Sequence, residues 1–382
     1  MNGSVEELLN RLSAINDRCY LLVDEIKNYM SNKLYHELTL ALIELFTMSE
    51  ISCNDRLLLF EMIVHPIKND LNILKFSHIL RLSSEHLEPL ASLDQLSKYD
   101  NYLSTDTQAS FMIKIAKSYH HTRNQSYDQS LKLLEEVKPE IESGFGLDIT
   151  VISAYYKVSA NLNKATHKYN SWYQDSLMYL NYTPLDSISP TERDELALDI
   201  AIASIAAPDN YNFGAVLIQP LINTCLKQHS TFGWVYAILM ALNDGDFTQY
   251  DEIISKYKVQ ISHSELNHHK EQLQRKITLM AFLKLVFRKA KKQRIFTFEE
   301  ISQNCRIPID EVEYLLLKAM CNNVVKGKIN QVEQIVSFTW VQPRIIDSTK
   351  LTVLLDGVNE WNQQLKALIN KLKEITPELL VS

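Results

Sequence analysis

Apolar residues recur at helical spacing through nearly all of this chain and change to strand spacing once. Residues 4–100 read as successive amphipathic helices. Leu34, Leu38, Ala41, Leu42 and Leu45 fall on one helix face. The run Leu57–Val64 is apolar almost throughout and suits a segment lying between neighbouring helices. From Asp106 the pattern is a helical hairpin. Phe111, Ile115 and Tyr119 mark one helix, Asn124–Ser126 a turn, and Leu131, Leu134 and Val137 a second helix. Another pair is expected at 147–163 and 167–182. Helices paired in series predict an α-solenoid. Its repeats are degenerate, since no strict signature of the roughly 34-residue kind is present.

A boundary is expected at Thr183–Pro190. Ser189, Pro190 and Glu192 supply an N-cap, a proline at the first helical position and a capping-box partner. Helices are then predicted at 190–206, 213–227, 231–243 and 247–257, with a long helix over 264–290. The end of that helix carries Arg288, Lys289, Lys291, Lys292 and Arg294, which suits the negative end of a helix dipole.

The strand-period sequence lies in Thr297–Arg344. Thr297 and Glu300 form a capping-box pattern that starts a short helix. Pro308 interrupts it, and Asp310 and Glu311 place acid in the first turn of a second helix. Val312, Leu315, Leu316, Ala319 and Met320 form that helix's buried face. Gly327 is expected to permit a turn. Val336, Phe338 and Trp340 then alternate with Ser337 and Thr339. The first three are expected to face the module's core. Ile335, Ser337, Thr339 and Val341 fall on the other phase, on a strand expected at a sheet edge and free to pair with a neighbour. Helix, turn, helix and small hairpin describe a winged helix. After it, Leu351, Val358, Leu365 and Leu372 repeat every seven residues, with Leu354, Trp361, Leu368 and Ile375 between them. That is the seam of a coiled coil or helix bundle.

Charge changes how the winged helix is read. Binding nucleic acid requires cations against phosphate. Between Thr297 and Pro343 four cations (Arg306, Lys318, Lys326, Lys328) face six carboxylates (Glu299, Glu300, Asp310, Glu311, Glu313, Glu333). Three of those acids sit at the start of the helix that would enter the groove, so a protein partner is expected and nucleic acid is not. The whole chain agrees: 382 residues carry a net charge of −7. With 8 Gly and 10 Pro, breakers are few enough for a chain made mostly of helices. Cys19, Cys53, Cys225, Cys305 and Cys321 contain no C-x-x-C pair, so reduced, buried thiols are expected. Met1–Asn10 carries acid and no long apolar run, so no secretory leader is expected. No apolar run approaches the roughly 18 residues of a membrane span.

No catalytic pattern emerges. Gly327-Lys328 lacks the upstream glycine of a phosphate loop, and Gly144-Phe-Gly146 lacks a third glycine. His36-Glu37 has Leu40 where a zinc pair needs histidine. His120-His121 and His268-His269 are adjacent, which points the rings about 100° apart on a helix. No G-x-S-x-G or cysteine nucleophile motif occurs. No enzyme activity, metal or cofactor is expected.

Several segments carry a resemblance: YNFGAVLIQPLI (Tyr211–Ile222), FTFEEISQNCRIPIDEVEYLLLKAM (Phe296–Met320), VVKGKINQVEQIV (Val324–Val336), TWVQPR (Thr339–Arg344) and LYHELTLAL (Leu34–Leu42). Together they resemble the PCI-domain family, and within it the non-ATPase subunits of the proteasome regulatory particle lid. Pro308 departs from the Ser or Thr often found at its cap in that family. The resemblance implies a non-catalytic scaffold for ubiquitin-dependent protein degradation, in cytoplasm and nucleus. It implies a hetero-oligomer whose partners are other PCI-domain lid subunits, met through the winged helix, and their C-terminal helices, met in one bundle. It divides the chain into a helical-repeat arm (1–183), the helical part of the PCI domain (184–295), a winged helix (296–344) and a C-terminal bundle helix (345–382). PCI scaffolds of the signalosome and of a translation initiation factor are the alternative, against which TWVQPR argues. A nucleic-acid-binding winged helix is the weaker one.

Overall fold

The structure is a computed structural model of the chain and describes residues 3–48, 50–85, 87–144, 146–227, 229–288, 294–342 and 348–375. The chain divides into two compact units, Met1–Pro208 and Asp209–Ser382.

The first unit is helical throughout its described residues. It opens with α1 (Gly3–Ser13), α2 (Asp17–Asn32), α3 (Tyr35–Thr47) and α4 (Cys53–Leu59), which runs on through a π-turn at Phe60–Val64. Then come α5 (Ile73–Ser84), α6 (Pro89–Ser97) and α7 (Asp100–Leu103). Leu9, Leu12, Ile26, Leu42, Phe46, Phe60 and Phe76 are fully buried in one core. Leu38, Ala41, Leu42 and Leu45 lie in that core as their spacing predicts, but Leu34 is the N-cap of α3 and is exposed. The π-turn is buried at Phe60, Ile63 and Val64.

The hairpin expected from Asp106 is α8 (Thr107–Arg123) and α9 (Tyr127–Ser143). Asp106 caps α8 by accepting from the Ala109 N–H at 2.9 Å. Ser118 and Ser130 hydroxyls meet at 2.7 Å between the helices, so small side chains let the backbones approach. The next pair is α10 (Ile149–Ala165) and α11 (Tyr169–Tyr182), followed by α12 (Pro190–Ala206). Met112, Ile115, Leu134, Val137, Val151 and Val158 share a second core. The Ser189 capping box is complete: its hydroxyl accepts from the Glu192 N–H and its own N–H donates to the Glu192 carboxylate. Helix α12 packs on α11 and lies within the first compact unit, which runs past the expected boundary to Pro208. Lys157 bonds Glu85 at 3.3 Å and approaches Glu192 at 3.7 Å, tying α10 to the end of α5 and the start of α12.

The second unit contains α13 (Phe213–Ile218), α14 (Pro220–Cys225), α15 (Gly233–Asp244), α16 (Phe247–Lys256), α17 (Lys258–His263) and α18 (Lys270–Arg288). The single helix expected at 213–227 is thus two. Pro220 cannot donate to the preceding turn, and Gln219 before it is extended at ψ 125. The helix expected over 264–290 begins as a 3-10 turn, Glu265–His269, and becomes α-helical at Lys270. The basic cluster from Lys289 to Lys292 lies outside the described residues. The winged helix follows: β1 (Ile295–Thr297), α19 (Phe298–Cys305), α20 (Ile309–Cys321), β2 (Val325–Asn330) and β3 (Ile335–Val341). The last element is α21 (Ser348–Ile375). Mostly helical repeats with one small sheet among the described residues is the fold class the periodicity predicts.

Burial in the first unit creates a pH dependence. His120 is 1 % exposed, and its Nε2 lies 3.4 Å from the Ser84 hydroxyl. Burial, helped by the Arg123 charge, pushes its imidazole down to about 4 from the ordinary 6.5. The unfolded chain therefore binds more protons between those values. The stability from this site is full above about pH 6.5 and is lost as pH falls toward 4. Melting temperature should fall on going from about pH 7 to about pH 5. It should fall less in His120→Gln, and equal slopes would remove His120 from the account.

Candidate assembly interface

The winged helix is assembled around Phe338. Its ring meets Phe282 of α18 at 5.5 Å and Phe296 of β1 at 6.0 Å, and all three are buried. Strand order is β1-β3-β2, both pairings antiparallel. Strand β3 is therefore central, which corrects the expectation of an edge. β1 covers Ile335–Ser337 on one side and β2 covers its full length on the other. The strand-edge positions belong to β1 and β2, and β2 presents Lys326 and Lys328 as exposed cations, a common guard against random pairing.

Gly327 is likewise not in the turn. It lies within β2 opposite Phe338, at a register break between Lys326 and Gly327. A Cβ there would stand 2.3 Å from the Ser337 carbonyl oxygen and 3.0 Å from the Phe338 ring. Glycine is needed for close approach. The turn is Gln331–Gln334, closed by Gln334 at φ 53.

The register break reverses the phase of β3. Phe338 pairs with Gly327 and Trp340 with Lys326, so Thr339 is the extra residue of a bulge. Val336 and Phe338 point inward as expected. Trp340 does not: it is 38 % exposed, with the Lys326 ammonium 5.5 Å from its ring centroid. Val341, expected on the outer face, is buried. Of the other outer residues, Thr339 is exposed and donates to the Lys326 carbonyl at 3.1 Å, while Ile335 and Ser337 are half-buried.

Helix α20 buries Val312, Leu315, Leu316 and Ala319, with Met320 half-buried. Thr297 caps α19 through the Glu300 N–H at 3.2 Å, whereas Pro308 at the start of α20 makes no side-chain cap. Asn322 donates to the Tyr211 hydroxyl at 2.8 Å. Arg306, in a left-handed conformation after α19, meets Asp251 at 3.3 Å and stacks on Phe247. One of the module's four cations thus has a carboxylate of the same unit beside it, which lowers what the winged helix offers to phosphate.

The tail is a continuous helix of 28 residues. Val358, Trp361, Leu365, Leu368 and Leu372 are all exposed, Trp361 by 63 %. The side chains of Leu351, Leu354 and Ile375 lie outside the described residues. The heptad seam is therefore open at each described position.

Sequence reasoning passed over exposed apolar residues at Ile309, Tyr314, Leu317 and Val332. Their signal is apolar character off the buried stripe of α20 and at a turn, where polar residues are usual. The thiols also differ from expectation. Cys19 and Cys305 are buried, but Cys53 and Cys321 are exposed and Cys225 is half-buried. Burial pushes the Cys305 thiol up to about 12, which keeps it protonated and unreactive. Among the described residues, no group of three His, Cys, Asp or Glu side chains is placed to hold a metal ion. No described helix is long and apolar enough to cross a membrane.

Degenerate helical pairs and an acidic winged helix followed by a heptad helix define the PCI class. Residues 254–340 match the PCI domain, and residues 22–239 match the PSD13 N-terminal repeats. The match extends nearly end to end. The 26S proteasome regulatory subunit RPN9 of Saccharomyces cerevisiae is 30 % identical, covering 97 % of each chain. The probable 26S proteasome regulatory subunit rpn9 of Schizosaccharomyces pombe is 30 % identical over 97 % of this chain and 95 % of its own. The 26S proteasome non-ATPase regulatory subunit 13 of Dictyostelium discoideum is 27 % identical over 94 % of each. The chain belongs to the family of 26S proteasome non-ATPase regulatory subunit 13, the RPN9 type.

The bulge gives a sharp test by thermal or denaturant unfolding. Phe338→Ala should cost about 3–5 kcal/mol. Gly327→Ala should cost about 1–3 kcal/mol through overpacking. Trp340→Ala should cost only about 1–2 kcal/mol. A loss at Trp340 equal to that at Phe338 would place the indole in the core and refute the phase change.

Proposed function

We propose that this chain is a non-catalytic scaffold subunit of the proteasome regulatory particle lid. It would serve ubiquitin-dependent protein degradation in cytoplasm and nucleus, within a hetero-oligomer. Family membership supplies the proteasome setting. The observation that carries the mode of assembly is the open seam of α21. Each fully buried Leu contributes about 1.5–3 kcal/mol, and much of that is unrealised while the described seam positions stay 38 % to 63 % exposed. Gly357 also weakens the helix by roughly 1 kcal/mol relative to alanine. A helix of this kind is stabilised by partner helices, and heptad spacing suits a supercoiled bundle of several chains. The winged helix would add a second contact with other PCI-domain subunits through the outer strands of its sheet, β1 and β2. Its acidity favours protein over nucleic acid.

The test uses the full chain, affinity-tagged, in native extract, beside Leu365→Glu, Leu368→Glu. The parent should recover proteasome regulatory subunits in stoichiometric amounts. The double variant should melt like the parent when alone and fail to enter the complex. Recovery of signalosome or initiation-factor subunits instead would overturn the proteasome setting. A variant that melts well below the parent would place the seam in the subunit's own core.

A further inference from the structure

We propose that the face formed by α20 and the tip of the wing docks a basic amphipathic helix of another protein. This contact is separate from the sheet edges and from α21, and it does not depend on the proteasome reading.

Three observations support it. The wing tip meets the helix, where Gln331 Nε2 donates to Glu313 Oε2 at 2.9 Å. Leu317 lies one turn beyond Glu313 on the same face. Tyr314 lies beside it, and Cys321 one turn further on. The surface so assembled is apolar where it is most open: Tyr314 is 65 % exposed, Leu317 49 % and Val332, at the wing tip, 96 %. Single exposed apolar residues need no explanation, but Tyr314 and Leu317 are neighbours on α20, and Val332 follows the residue that bonds that helix. The rim is acidic. Asp310 and Glu311 are exposed in the first turn of α20, Glu333 is exposed on the wing, and Glu313 stands between. Lys318 is the cation that α20 contributes, and Arg306 is already engaged by Asp251 and Phe247.

Those features select the occupant. The rim would repel phosphate and an acidic peptide, and a second copy of the same face would bring like charges together. Lys or Arg flanking an apolar stripe complements both the rim and the centre. Helix α20 has 13 residues and is about 20 Å long, which matches a partner helix of three to four turns. In winged helices that read DNA, the second helix and the wing supply the recognition surface. Here that surface carries carboxylates and apolar side chains, which suits a different ligand.

The test is a titration of the full chain with a synthetic amphipathic helix carrying Leu at i, i+3 and i+7 and Lys between. The comparison probes are a scramble of that peptide, its Glu-for-Lys version and mixed-sequence duplex DNA. The basic amphipathic helix should bind saturably, and each comparison probe at least tenfold more weakly. Leu317→Glu and Val332→Asp should each weaken binding at least tenfold while melting like the parent. Asp310→Asn, Glu311→Gln should weaken binding and flatten its salt dependence, with a small loss of melting temperature from the helix dipole. Equal binding of the scramble would reduce the interaction to charge alone and overturn the proposal. So would variants that bind like the parent, tighter binding of DNA, or no saturable binding. None of these results bears on whether the chain assembles through α21.

Discussion

The winged helix depends on one close approach of backbone to backbone. At Gly327 the β2 chain comes so near β3 that no Cβ fits between it and the Ser337 carbonyl. That approach leaves room for the Phe338 ring, which then reaches Phe282 on α18 and Phe296 on β1. The small sheet and the helix leading into it share this aromatic centre. The same local geometry makes Thr339 the extra residue of a bulge. From that point Trp340 turns outward and Val341 inward. Which side chains the module offers to a neighbour is thus decided by a glycine that offers none.

The first unit uses a different solution. Its helices are joined by short turns and capped by Asp106, Asp148 and Ser189. Several of its charged groups lie at the contacts between successive helices. Lys157 connects three helix segments through Glu85 and Glu192, and Lys164 meets Asp199 at 2.7 Å while lying over the Trp172 ring. These pairs are part-exposed and contribute little to stability, but each joins helices that are not consecutive turns of one element.

The second unit distributes its charge with a similar economy. Arg306 pairs with Asp251 and lies over the Phe247 ring while staying exposed, so it links the end of α19 to α16 at the surface. The acids of α20 stay exposed. An acidic, partly apolar recognition surface and an open heptad helix are both features that proteins bury on assembly. A chain of this family that presents both is organised for contact with other proteins.

The elements governed by local spacing were legible in the sequence. The hairpin at Thr107–Ser143, the capping box at Ser189, the buried face of α20 and the heptads of α21 follow from side-chain periodicity and short-range hydrogen bonding, which need no knowledge of distant residues. The exceptions have local causes too, such as Pro220 dividing α13 from α14. What periodicity could not decide was pairing. That β3 is central, that Gly327 sits in a strand and that the bulge inverts Trp340 and Val341 all depend on which strand lies on each side. The alternation of β3 reads the same with or without the bulge, because one inserted residue reverses the faces without altering composition. Side-chain spacing and charge alone specified a helical scaffold with an acidic winged helix and a heptad stripe after it. Which side chains of that module face outward was settled by strand pairing, because facing is set by the neighbouring backbone.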